Sequence, residues 1–192
     1  VFLSLGIRRY DFIGGEVSRY GDGWLELARH LVAMDVDSGW PEPLAITLYT
    51  NGWWLGAEHF EAAGRTYKDE AAYLDDLRVH GVTHVLFSID GPEARHDRWR
   101  GHPGLYQRVL SGFPRVIEAG IQPRLSVVMR PGDPFEFLRP FAEILFTTDP
   151  ENALARFLYD PMNHFNNFID TGSGAKLRKG MRSLESLGRA EA

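Results

Sequence analysis

His84-Val85-Leu86-Phe87-Ser88-Ile89-Asp90-Gly91-Pro92 decides the fold. The apolar run is too short for an ordinary helix, and Asp-Gly-Pro stops it abruptly, so it reads as a strand. Consecutive strand residues point to opposite faces, so an unbroken run such as Val85-Leu86-Phe87 fits a sheet covered on both sides. Similar runs flank it. Ile7 to Ile13 ends at Gly14-Gly15-Glu16, Leu44 to Tyr49 ends at Thr50-Asn51-Gly52, and Arg124 to Met129 ends at Arg130. The strand ends Ile13, Thr50, Ile89 and Met129 lie 37, 39 and 40 residues apart. That is the period of a strand–loop–helix–loop unit.

The intervals carry helical patterns. Asp22 stands where a cap would, ahead of Trp24, Leu27, Ala28, Leu31 and Val32 as one buried face. A loop with Trp53 and Trp54 leads to a helix over 69–80, stopped by Gly81. Another covers 106–119, where Pro114 is expected to kink or divide it, and 135–146 is helical but interrupted by Pro140. Ala153 to Tyr159 reads as a fifth strand ending at Asp160. Val1 to Leu5 reads as a last helical turn closed by Gly6. Strands alternating with helices imply a parallel α/β sheet, expected as a barrel or partial barrel, with a doubly wound open sheet second.

The chain has 192 residues, which sets the expectation of one domain over 1–170 with a tail over 171–192. That tail opens with Gly172-Ser173-Gly174 and is basic, and is read as a solvated end or a short helix over 175–187. The net charge of −5 argues against a general nucleic-acid binder. No apolar run reaches the ~18 residues of a membrane span, and Val1 to Leu5 is too short for a signal-peptide core, so a cytoplasmic protein is expected. Cysteine is absent, which excludes disulfides, thiolate nucleophiles and cysteine-held metal within this chain.

In β/α barrels chemistry sits at the C-terminal ends of the strands. Those ends here carry Gly14-Gly15-Glu16, Thr50-Asn51-Gly52, Ser88-Ile89-Asp90, Arg130 and Asp160. The glycine pair lets a ligand approach the backbone, and the Glu16 carboxylate suits an ammonium group. Each of these residues taken singly also occurs in inert loops.

The order GGE, TNG, SIDG, followed by His96-Asp97-Arg98-Trp99-Arg100-Gly101 as an HDxxRG-like loop, resembles the radical S-adenosylmethionine superfamily, in its SPASM or twitch branch. The resemblance runs from about Leu5 to Met129 and more weakly to Asp160. It implies a partial (β/α) barrel of about five of six β/α units, with the first strand missing. It implies that Gly14, Gly15 and Glu16 bind the amino group of S-adenosylmethionine, although Val17-Ser18 stand where the family has Pro-Leu. It places Ser88, then Asp90, near the cofactor ribose and Arg130 near its carboxylate, with Asn51 shaping the strand-end loop or reaching the site. It also implies a [4Fe-4S] cluster on a CxxxCxxC motif upstream of GGE, where this chain has 13 residues and no cysteine. The cluster, an electron donor and radical hydrogen abstraction from a peptide or protein substrate therefore attach to the parent enzyme. The lost strand would leave the edge beside Ile7 to Ile13 uncovered, and the chain alone is expected to be poorly soluble or oligomeric.

Two other readings stand beside it. One is a degenerate, non-catalytic domain that binds a peptide or partner. The other is a metal-dependent barrel hydrolase using His80, His84, His96, His102 and His164 with Glu16, Asp90 and Asp160, though no HxH or HExxH spacing supports it. His96, Asp97, Arg98 and Arg100 also fit a surface ion-pair network.

Overall fold

The structure is a computed structural model and describes residues 6–36, 39–128 and 133–148. Four strands, β1 (Arg9–Phe12), β2 (Ala45–Thr50), β5 (His84–Ile89) and β6 (Gln122–Val127), form a sheet in the order β1-β2-β5-β6. The β1–β2 and β2–β5 pairs run parallel, with Phe12 opposite Leu48 and Thr50 opposite Phe87. Gln122 N–H donates to Thr83 O at 2.9 Å and Val128 N–H to Ile89 O at 2.8 Å, so β5 and β6 advance together as well. The strand ends at Phe12, Thr50, Ile89 and Val127 keep the expected regular interval. Ile46, Leu48, Val85, Leu86, Phe87 and Ile89 are fully buried, as a sheet packed on both faces requires. Among the described residues the sheet is open, with β1 and β6 at its edges, and no barrel closes.

Helix α1 (Gly23–Asp35) follows β1. Its buried residues are Leu25, Ala28 and Leu31, whereas Leu27 and Val32 are exposed, so the face is rotated from the one expected. Two overlapping i, i+3 rows of similar hydropathy share this helix, and packing chose the one through Leu25. Asp22 occupies the cap position without a side-chain capping bond.

The expected loop after β2 holds an antiparallel hairpin, β3 (Glu58–Ala62) with β4 (Arg65–Asp69). Phe60 faces Tyr67 across it. The turn residues Ala63 and Gly64 both have positive φ, 49° and 68°, the backbone hand that matches strand twist in a two-residue hairpin. Helix α2 (Glu70–Val79) starts where β4 ends, and the Asp69 side chain caps it by accepting from Ala72 N–H at 2.8 Å. Tyr73 of α2 then meets Trp54, Phe60 and Tyr67 at ring-centroid distances of 5.0, 5.8 and 4.9 Å. These contacts weld hairpin and helix into one cluster.

Helix α3 (Glu93–Arg100) takes in His96 to Arg100 of the HDxxRG-like stretch expected as a loop. It has no apolar stripe; Gly101 closes it in the left-handed region at φ 63°. Helix α4 (Leu105–Glu118) runs unbroken through Pro114, with Val109, Phe113 and Val116 fully buried along it. A 3-10 turn (Phe135–Leu138) leads into α5 (Arg139–Thr148), where Pro140 sits in the first turn and forfeits no helical bond. The described residues gather into two compact units, one up to Phe87 with Arg115–Pro123, the other Ser88–Pro114 with those from Arg124 on. The strand expected at 153–159, the tail, Arg130 and Asp160 lie outside the described residues.

Candidate functional site

In the first unit the site grows from the turn after β1. Gly14 and Gly15 have φ of 131° and 50°, which side chains resist, and open space lies where a Cβ of Gly14 would be. The backbone then delivers Glu16, followed by a 3-10 turn over Val17–Arg19. Ser18 Oγ donates to Glu16 Oε1 at 2.6 Å, and Thr50 Oγ1, from the end of β2, donates to the same oxygen at 2.8 Å. Asn51 N–H donates to Oε2 at 2.8 Å. A carboxylate accepts about four hydrogen bonds, so about one place remains. All three donors are neutral. No Lys, Arg or His among the described residues forms an ion pair with Glu16. The group is therefore rigidly aimed and half-buried, with no cation beside it among the described residues.

A second layer holds those donors. Asn51 Oδ1 accepts from Trp53 N–H at 2.9 Å, an Asx turn, so its side chain serves the strand-end loop. Trp53 Nε1 donates to Ser18 Oγ at 2.8 Å, and the Arg19 guanidinium lies 4.1 Å over the Trp53 ring. Ser18 is fully buried, and its carbonyl accepts from Ala63 N–H at 2.6 Å. The hairpin turn thus backs the Glu16 loop. Ser18 was given no role from sequence, and Thr50 was named only as one of the strand-end residues, with no part of its own. A hydroxyl two residues after Glu16 and another at the end of an apolar strand are the signals that could have marked them.

Ser88 and Asp90 stand at the end of β5, in the second unit. Ser88 is half-buried and Asp90 buried. The Asp90 carboxylate is gripped by Arg100, Nε to Oδ2 at 2.5 Å and Nη2 to Oδ1 at 3.0 Å. Its N–H donates to His96 Nδ1 at 3.1 Å and its carbonyl accepts from Arg95 Nε at 2.8 Å. Gly91 is confined by the same arginine: a Cβ there would lie 1.7 Å from Arg95 Nη2. Arg95 also pairs with Asp133. Burial pushes the His96 ring below its ordinary pKa, against the pull of Asp90. Asp97 accepts from Gly104 N–H at 2.6 Å and Tyr106 N–H at 2.9 Å and so caps α4. The HDxxRG-like stretch is therefore more than a surface ion-pair network: His96 is fully buried, and His96, Asp97 and Arg100 hold backbone or the Asp90 turn, while Arg98 is exposed.

Among the described residues no three of His, Cys, Asp and Glu come together to hold a metal ion. His80 and His84 are engaged elsewhere, near Asp76 and Gln122 respectively. No described helix is long and apolar enough to cross a membrane. A separate cleft of about 650 Å³ opens beside Glu58, Glu70, Asp75, Arg78 and Arg115. Its buried carboxylate, Glu70, is already satisfied by Arg115 and by Gly56 N–H, and Arg78 is paired with Asp75.

No protein-family model matches the chain. Over 129 residues, 67% of the chain, it is 26% identical to an AdoMet-dependent heme synthase of Nitratidesulfovibrio vulgaris. The match spans 29% of that protein's length, so the chain covers less than a third of the relative. The cofactor in that protein's name is the one implied by the GGE, SIDG and HDxxRG-like motifs, and at the level of the superfamily the match supports the radical S-adenosylmethionine resemblance.

Proposed function

We propose that this chain is part of a radical S-adenosylmethionine enzyme and holds the amino-acid end of the cofactor at Gly14, Gly15 and Glu16. The observation that carries the reading is the Glu16 carboxylate, fixed by three neutral donors and with no cationic partner among the described residues. An α-ammonium group suits this carboxylate in charge and in hydrogen-bonding capacity. Gly14 leaves the backbone open beside it. The cofactor, when bound, supplies the radical chemistry; the protein's share is binding and orientation. Glu16 accepts from the ammonium, while Thr50, Ser18 and Asn51 keep its oxygens from turning to water.

The resemblance further assigns Ser88 and Asp90 to the ribose and Arg130 to the cofactor carboxylate. Asp90, already neutralised by Arg100, would act through its fixed turn more than through a free carboxylate. With no cysteine in the sequence, this chain has no thiolate for an iron–sulfur cluster. Within this reading the cluster, the electron donor, a peptide or protein substrate, the SPASM-type branch and a cytoplasmic location belong to the parent protein. The missing thiolates favour a second reading, a non-catalytic domain that binds a peptide or partner.

Calorimetry separates the two. The chain should bind S-adenosylmethionine, and Glu16→Gln should weaken it about tenfold or more, as losing a charge-assisted contact does. Affinity for methylthioadenosine, which has no amino group, should stay within about threefold, because that ligand never reaches Glu16. No heat from S-adenosylmethionine, or equal losses for both ligands, refutes the assignment and leaves the partner-binding domain.

A further inference from the structure

We infer that His96 is a positioning residue whose neutral ring holds the Asp90 backbone amide and thereby sets the Asp90-Gly91 turn at the end of β5. Helix α3 grips all three polar groups of Asp90. Arg95 takes the carbonyl, Arg100 takes the carboxylate, and His96 takes the N–H. A backbone N–H only donates, so Nδ1 must present its lone pair, and the ring is neutral with its proton on Nε2. That Nε2 is buried with no hydrogen-bond partner among the described residues. An orphaned buried donor costs stability. A leucine in the same space would avoid that cost, but it would offer no acceptor to Asp90.

Of the three grips, only the histidine titrates in the ordinary pH range. Protonation at Nδ1 would set N–H against N–H and release the turn. The charged groups facing the ring are Asp90 from the end of β5 and Asp97 and Arg100 from α3; Tyr106 of α4 presents a neutral ring at 6.3 Å. Burial outweighs the two carboxylates, so the ring stays neutral to a lower pH than an exposed histidine. The turn's geometry needs no ligand. Its service to cofactor binding rests on the function proposed above.

The test uses the full 192-residue chain labelled with ¹⁵N. In His96→Asn the amide oxygen sits near the Nδ1 position, and Asp90 amide protection against hydrogen exchange should stay within about threefold of wild type. In His96→Gln the oxygen sits too far along the side chain, and Asp90 should exchange about tenfold faster. The Val109 amide in α4 reports whether the fold is intact. Should a variant unfold, wild type suffices: the Asp90 amide resonance should move together with the His96 ring as it protonates, with a midpoint below 6.5. Equal Asp90 exchange in all three proteins, or an Asp90 resonance indifferent to ring protonation, overturns the inference. If Asp90 responds as stated while S-adenosylmethionine binds none of the three, the positioning role stands and the cofactor reading fails.

Discussion

Removing Arg115 should cost far more than neutralising Glu70, although the two form one ion pair. Glu70 accepts from Arg115 Nε and Nη2, both at 2.9 Å, and from Gly56 N–H at 2.6 Å. The Glu70 side chain is 9% exposed and the Arg115 side chain 44%. Arg115→Ala therefore strands a buried carboxylate with one donor, a loss of ~3 kcal/mol. Glu70→Gln leaves an oxygen for Gly56 and no stranded buried carboxylate, a loss of ~1 kcal/mol. For a chain of this length the melting temperature should fall by ~6–12 °C in the first variant and ~2–4 °C in the second. Urea unfolding followed by circular dichroism gives the same comparison through the midpoints, provided the slopes agree. The double variant should be more stable than Arg115→Ala alone, because the stranded charge is gone. Equal losses, or a larger loss for Glu70→Gln, would refute the reasoning that burial of the carboxylate sets the cost.

Two further outcomes follow from the second unit. Asp97→Ala removes the acceptor shared by Gly104 and Tyr106 and should lower stability by ~2 kcal/mol, with hydrogen exchange accelerating first at those two amides. Burial pushes the Tyr106 hydroxyl, which donates to the Phe137 carbonyl, from 10.0 up to about 12. The folded value lies above the unfolded one, so this contribution is complete below pH 10.0 and disappears as pH rises through about 12. Tyr106→Phe should flatten that part of the alkaline stability profile; an unchanged slope would exclude the hydroxyl as its source.

The strands and the period between them were legible because their apolar runs end at unmistakable stops. His84 to Ile89 carries its own boundaries, and Asp69 announces α2. The hairpin was not legible. Its turn is Ala63-Gly64 rather than Asn-Gly, so the positive φ at Ala63 has no sequence signature. Helix α3 was hidden for a different reason: it has no hydrophobic period, and hydrogen bonds to residues outside it fix it in place. At the site, Glu16 stood out as a carboxylate after paired glycines. What holds it did not, since Thr50 and Asn51 arrive from 34 and 35 residues away through strand pairing.

The three-point grip of α3 on Asp90 has a consequence for how this protein tolerates substitution. In most domains intolerance follows hydropathy, and a segment as charged as Glu-Ala-Arg-His-Asp-Arg-Trp-Arg would pass for freely variable surface. Here the order is inverted. Ala94 and Arg98 are exposed, and no hydrogen bond of theirs secures the turn, so they can drift. Arg95, His96, Asp97 and Arg100 each hold a named polar atom elsewhere, so even charge-preserving exchanges fail on geometry: lysine lacks the fork that spans the Asp90 carboxylate. Saturation mutagenesis of Arg95, His96, Asp97 and Arg100 should resemble that of a buried core, written in polar rather than apolar letters.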